Sequence, residues 1–158
     1  MRKIPSGTES AQPLRVKMAL MSLPPIPALP ASEQEFQMTI GPIEAVRVFT
    51  TKLAEARRFY ADTLGLQEKL ATSAISMFDT GQAKLIVECV DPDDPEAAGL
   101  VGRFTAFSFT VTNMDTALNN LRDRSIQWLG PPERQAWGGL LAHFKDPDGN
   151  VLTLVEYL

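Results

Sequence analysis

The chain is predicted to be α+β, built from two βαβββ modules whose mixed sheets form an open cup with the helices outside. Three observations predict this. Residues 45–56 lay over residues 106–117 at a constant offset of 61, with Ala45-Val46-Arg47-Val48-Phe49 on Ala106-Phe107-Ser108-Phe109-Thr110. In both copies an alternating apolar run (Val46, Val48; then Phe107, Phe109, Val111) gives way to helical spacing (Leu53, Ala56, Tyr60; then Met114, Ala117, Leu121). A period that changes from about 2 to about 3.6 at the same place twice is a strand–helix unit used twice. Each copy also ends in a hairpin, Met77–Gly81 into Leu85–Val87 and His143–Asn150 into Leu152–Leu154. Two like half-sheets facing each other enclose one shared site, so the duplication bears on function.

Module one (41–90) reads as strand 43–50, helix 52–63, strand 66–72, strand 74–79 and strand 83–90. Leu64-Gly65 supplies a left-handed stop for its helix. Module two (103–158) reads as strand 104–111, helix 113–124, strand 125–129, strand 139–145 and strand 150–157, with Asn113 placed to cap the helix. Gly130-Pro131-Pro132 breaks the chain before the last hairpin. Asp146-Pro147-Asp148-Gly149 is a strong turn, since Pro presets φ and Gly takes φ > 0. The link 91–102 carries Asp91, Asp93, Asp94 and Glu96, read as solvated surface rather than an acidic docking site. Residues 1–40 are rich in proline between Pro5 and Pro30 and lack sustained periodicity, so they are expected to form a flexible tail. Its apolar run Met18–Leu23 is stopped by Pro24-Pro25, too short for a signal peptide.

Composition narrows the function. The 158 residues carry 44% apolar and 22% charged side chains and a net charge of −4, ordinary for one globular domain and poor for a nucleic-acid groove. No apolar stretch is long enough to span a membrane, and a cytoplasmic protein is expected. The single cysteine, Cys89, excludes an internal disulfide and a cysteine-based zinc cage. It has no neighbouring cation to stabilise a thiolate and is read as packing rather than a nucleophile.

Arg58-Phe59-Tyr60-Ala61-Asp62-Thr63-Leu64-Gly65-Leu66, Trp137-Gly138-Gly139 and Phe144-Lys145-Asp146-Pro147-Asp148-Gly149-Asn150, in that order on a duplicated βαβββ pattern, resemble the vicinal oxygen chelate superfamily. That superfamily includes glyoxalase I, extradiol dioxygenases, fosfomycin-modifying enzymes and bleomycin-resistance proteins. The resemblance covers residues 41–158. It implies a divalent metal held by one His or Glu from each of four strands. The positions it marks hold Ala45, Ala106 and Thr153; the fourth falls at Leu85, or at Glu88 if the hairpin carries an insertion. Alanine offers no lone pair, and a divalent ion needs several converging N or O ligands. No metal cofactor is therefore expected; Glu88 is a metal ligand only if the site has been rebuilt with displaced ligands.

Strand parity sorts what remains. Val46, Val48, Phe107, Phe109 and Val111 pack on the helices, which sends Arg47, Phe49, Ser108 and Thr110 to the concave face. Phe144 reads as core, placing His143 and Leu141 opposite it; with Thr153 go Val155 and Tyr157. His143 is a general acid/base or an orienting donor in one reading; in the other, which is favoured, it is a rim histidine bonded to a neighbouring backbone group or water. Arg47 pairs with Glu44 or Glu88, or awaits an anionic ligand. Trp137 is either a stacking wall or part of a wide turn, while Trp128 and Phe59 are read as core. The candidate ligand-binding set is thus Arg47, Phe49, Ser108, Thr110, Trp137, His143, Thr153 and Tyr157. The favoured function is metal-independent binding of a small molecule by a homodimer without nucleic-acid or membrane partners. The alternatives are a glyoxalase-like lyase, isomerase or dioxygenase using Zn, Ni, Fe or Mn with Glu88 and His143, and a regulatory module that has lost its site.

Overall fold

The computed structural model describes residues 40–97 and 99–158. The expected tail 1–40 lies, Ile40 apart, outside the described residues. Module one runs β1 (Ala45–Thr50), α1 (Leu53–Arg58), a π-helical turn (Phe59–Thr63), β2 (Gln67–Ala71), β3 (Ile75–Asp79) and β4 (Lys84–Cys89). Module two runs β5 (Phe104–Thr110), α2 (Met114–Leu121), β6 (Gln127–Trp128), β7 (Glu133–Arg134), β8 (Leu140–Lys145) and β9 (Val151–Glu156). The sheets repeat one order, β1-β4-β3-β2 and β5-β9-β8-β6, with the two-residue β7 also pairing β8. In each, the first strand lies parallel to the last and the other pairs are antiparallel. The α+β class and the βαβββ duplicate read from the sequence are what is found.

Local differences have physical causes. The helix expected over 52–63 is α-helical only to Arg58; the Leu64 N–H then donates to the Phe59 carbonyl at 3.0 Å, five residues back. Phe59 and Tyr60 in this wider turn are both buried, with their rings edge to face at 5.3 Å. Gly65 ends it at φ 76°, as the stop requires. Helix α2 ends at Leu121 rather than 124, and Asn113 caps it by accepting from the Thr116 N–H at 2.8 Å. The strand expected over 125–129 shrinks to Gln127–Trp128, and β7 follows the Gly-Pro-Pro break unannounced. Strand β5 is interrupted: its ladder slips between Phe104 and Ser108, where Ala106 takes φ 62°, a bulge that inserts unpaired backbone. In the acidic link, Asp91 and Asp94 accept from the N–H two residues on, and all four carboxylates are exposed.

One apolar core runs through both modules. Val48, Leu85, Val87 and Phe78 of the first sheet and Ala142, Phe144, Leu152 and Leu154 of the second belong to a single buried cluster with Ala56, Phe59, Tyr60 and Met114. Phe59 packs its ring 6.4 Å from that of Phe144, and Trp128 lies 5.4 Å from Phe144. Phe59 is thus core as expected, and Trp128 is partly buried against the cluster. Of the residues that parity sends to the other face, Arg47, Ser108 and Thr110 are exposed, Phe49 and His143 are partly buried, and Thr153 and Val155 are buried.

Candidate functional site

On the open face of module one, β1 and β4 bring Arg47 and Glu88 together. The Arg47 guanidinium donates to the Glu88 carboxylate at 2.5 Å, with side chains 52% and 35% exposed. Glu44 instead takes Lys84, which decides between the two acids the sequence offered. Phe49 lies next on the same face of β1, and the Arg103 guanidinium sits 6.0 Å above its ring. Leu85 is fully buried in the core, so the expectation that it holds the third ligand position is off by one residue. Arg47 pairs with Ile86 just as Ser108 pairs with Thr153, and the offset of 61 carries Arg47 to Ser108. Ile86 is therefore the residue that answers to Thr153. The miscount arises in the hairpins: four residues separate β3 from β4, and five separate β8 from β9.

Module two gathers its candidates around β9. His143 stands opposite Thr153, and its Nδ1 lies 2.9 Å from the Thr153 hydroxyl. The Phe104 ring meets the imidazole edge to face at 6.0 Å. Ser108 and Thr110 pair with Thr153 and Val155 and are exposed, whereas Thr153 and Val155 are buried. At the far end Trp137 lies over Tyr157 with centroids 5.5 Å apart, the two residues 55% and 71% exposed. Gly139 makes that placement possible. A Cβ there would stand 1.8 Å from the Trp137 ring and 2.8 Å from the Glu156 carbonyl oxygen. The Trp-Gly-Gly run is thus the wide turn between β7 and β8, with the Trp137 ring laid against Tyr157. Among the described residues, no hydrogen bond or ion pair joins the Arg47–Glu88 pair to the His143–Thr153 pair.

A divalent metal does not fit these donors. Ala45, Ala106 and Ile86 offer no ligand atom, Thr153 is engaged with His143, and Glu88 is engaged with Arg47. Among the described residues no three His, Cys, Asp or Glu side chains converge. The side chains on these faces are aromatic rings, hydroxyls, one imidazole and one guanidinium held by Glu88, groups able to make apolar and hydrogen-bonding contacts.

The sequence reading missed a polar clasp. The Asp146–Asn150 turn reaches across to module one, where the Asp146 carboxylate accepts from the Tyr60 hydroxyl at 2.9 Å and the Asn150 amide at 2.8 Å. The same carboxylate also takes the N–H groups of Asp148 and Asn150. Asp148 accepts from the Thr50 and Thr51 hydroxyls and the Thr51 N–H, and the Asn150 amide donates to the Phe49 carbonyl at 2.9 Å. Burial holds the Asp146 carboxyl above the usual range, against the pull of its hydrogen bonds from Asn150 and Tyr60. Burial first, and then the Asp146 charge, raises the Tyr60 phenol well above its ordinary value, so it stays a donor. A turn motif signals its own backbone; nothing local announces partners about a hundred positions away.

The family model for the Glyoxalase/Bleomycin resistance protein/Dioxygenase superfamily matches residues 40–154. The chain belongs to that superfamily. A superfamily member from Sphaerobacter thermophilus is 26% identical, with 75% of this chain and 98% of that one covered at a TM-score of 0.62. The antibiotic binding protein TnmS3 from a Streptomyces species is 22% identical over 77% and 99% of the two chains, TM-score 0.62. A lactoylglutathione lyase from Agrobacterium tumefaciens is 21% identical over 74% and 94%, TM-score 0.61. The last two likenesses establish the shared fold. No helix among the described residues is long and apolar enough to cross a membrane.

Proposed function

We propose that this superfamily member binds a small organic molecule on the open faces of its sheets without a metal and without chemistry, as a homodimer. The observation that carries the reading is the Arg47–Glu88 pair. The one carboxylate left near the superfamily's metal positions is bonded to a guanidinium, and the other positions hold Ala45, Ala106, Ile86 and Thr153. The structural relative TnmS3, an antibiotic binding protein, supports binding as a use of this scaffold, although function belongs to the site and not to the fold. The ligand is of mixed character. It lies against Trp137 and Tyr157 and presents an anionic or carbonyl group to Arg47, with His143, Ser108 and Thr110 as hydrogen-bonding neighbours and Phe49 and Thr153 beneath. Dimerisation is supported by Leu70, Phe104 and Leu129, large apolar residues left exposed away from the Trp-Tyr pair, which association would cover.

Two measurements test this. Elemental analysis of dialysed protein is expected to find no stoichiometric Zn, Ni, Fe or Mn. A panel of aromatic carboxylates and ketones is expected to contain compounds that raise Tm with EDTA present. About one metal per chain overturns the binding reading in favour of a lyase or dioxygenase using Glu88 and His143. A panel without a hit, on a metal-free protein, favours a regulatory module.

A further inference from the structure

Where the clasp has its counterpart in the repeat, the structure leaves a cavity. A cavity of about 620 Å³ lies between the β3–β4 turn, the segment after the π-helical turn, and β5. The offset of 61 and the strand registers say what stands in for what. Tyr60, whose ring is fully buried on the clasp side, becomes Leu121, which lines the cavity. The hairpin pairs Asp79↔Lys84 and Lys145↔Val151 align Thr80 with Asp146 and Ala83 with Asn150, and both Thr80 and Ala83 line the cavity. Phe49 becomes Thr110, another lining residue.

The same comparison extends to the backbone. Lys84 N–H donates to the Glu44 carbonyl and Val90 N–H to that of Thr50, so the even residues of β1 face β4 and Phe49 turns its carbonyl to the free edge, where the Asn150 amide caps it. In β5, Val111 N–H donates to the Val155 carbonyl at 2.8 Å. Residues 109 and 111 thus face β9, and Ser108 and Thr110 turn their N–H and C=O to the free edge along the cavity. There Ala83 stands in the place of Asn150 and has no amide to offer. The cavity is walled by Leu64, Leu66, Val111, Leu121, Phe144 and Leu154, and none of the described residues lining it is charged.

We infer that this cavity binds a neutral aromatic molecule bearing an N–H donor, a carboxamide or its like. Such a ring fills the space that Tyr60 fills at the equivalent place in the other copy of the repeat, and its N–H caps the Thr110 carbonyl as Asn150 caps that of Phe49. The volume suits a ligand of drug-like size. An anion is disfavoured, because no cation lines the walls and a carboxylate would face the edge carbonyls. This site uses the backbone edge of β5, not the open face that carries Arg47, His143 and Trp137.

Calorimetric titration of the full chain with 2-naphthamide, and with 2-naphthoate as the carboxylate of the same shape, tests it. Saturable one-to-one binding of the amide, at least tenfold tighter than the carboxylate, is expected. Leu121→Tyr, which rebuilds the ring of the clasp side, and Ala83→Asn, which rebuilds its amide on an accessible turn, should each weaken the amide at least tenfold while circular dichroism stays that of the parent. No binding to the parent, equal binding of amide and carboxylate, or unchanged affinity in a folded Ala83→Asn variant overturns the inference. A loss of affinity in Trp137→Ala that matches the loss in the cavity variants also overturns it, and leaves the function proposed for the open faces standing.

Discussion

Module two closes its last hairpin over module one with two carboxylates and an amide, whereas the matching hairpin of module one meets module two with Thr80, Gln82 and Ala83 and leaves a cavity. The two junctions derive from one repeat and occupy equivalent places, so their difference lies in a few side chains and one residue of loop length. At the clasp, buried polar groups meet each other with their hydrogen bonds made; no described buried side-chain N or O atom lacks a partner. At the other junction the polar groups are the edge of β5 itself. A repeat whose copies differ at these few positions fastens one junction with side-chain hydrogen bonds and leaves a cavity at the other.

Breaking the clasp has the largest expected effect. Asn150→Ala removes the donor to Phe49 and to Asp146 and the acceptor for the Gly102 N–H, all at a residue 1% exposed. Unmet buried groups of this kind cost about 2–4 kcal/mol in total, a fall in Tm on the order of 10 °C for a domain of this size. Denaturant unfolding measures it. An effect within about 0.5 kcal/mol would mean that the apolar core alone holds the modules together.

Gly139→Ala comes next. The added methyl meets the Trp137 ring and the Glu156 carbonyl oxygen, and the ring can swing away while the backbone cannot. Overpacking of this sort costs about 1–3 kcal/mol. Trp137 fluorescence should change along with stability, and unchanged emission would show that the ring does not lie over Gly139 in solution.

What the sequence made legible follows from range. The period switch, the Asn113 cap, the Gly65 stop and the Asp-Pro-Asp-Gly turn are local patterns, and each is found. So is the parity that sends Val48 inward and Arg47 outward. The π-helical turn and the Ala106 bulge insert one residue's worth of geometry without a residue type to mark them. The Leu85 position failed because a count along one hairpin assumed equal loops, and only the ladder registers correct it to Ile86. The partners of His143 and Arg47 were open choices in the sequence, since a strand fixes a face and not a neighbour.

Acid separates two carboxylates, one in each module. Asp146 is raised by burial, so the native state holds its proton to higher pH than the unfolded chain does. Its contribution to stability is fully present below the ordinary aspartate value of about 3.9 and is lost as pH rises through the raised folded value. Glu68, held low chiefly by its hydrogen bonds from Arg57 and Ser76, behaves in the opposite sense. Its contribution is present above the ordinary glutamate value of about 4.3 and is lost as pH falls through the lowered one. Carboxyl NMR titration should show Asp146 above and Glu68 below their ordinary values. Coincident titration of the two would remove burial as the distinction between these carboxylates.

The smallest effect on stability, and the most informative about function, belongs to the open face of module one. Arg47 and Glu88 are exposed enough that their pair contributes less than about 1 kcal/mol, so Arg47→Ala and Glu88→Gln should both fold with Tm close to the parent's. Their effects on an anionic ligand should then diverge. A ligand carboxylate competes with Glu88 for one guanidinium, so Glu88→Gln frees Arg47 and should tighten binding. Arg47→Ala removes the charged donor and should weaken binding by about 1.5–3 kcal/mol. The divergence separates a guanidinium that receives ligand from one that merely pairs across β1 and β4. Equal small losses in both variants would place the anion elsewhere and leave the aromatic pair Trp137–Tyr157 as the part of the open face to probe.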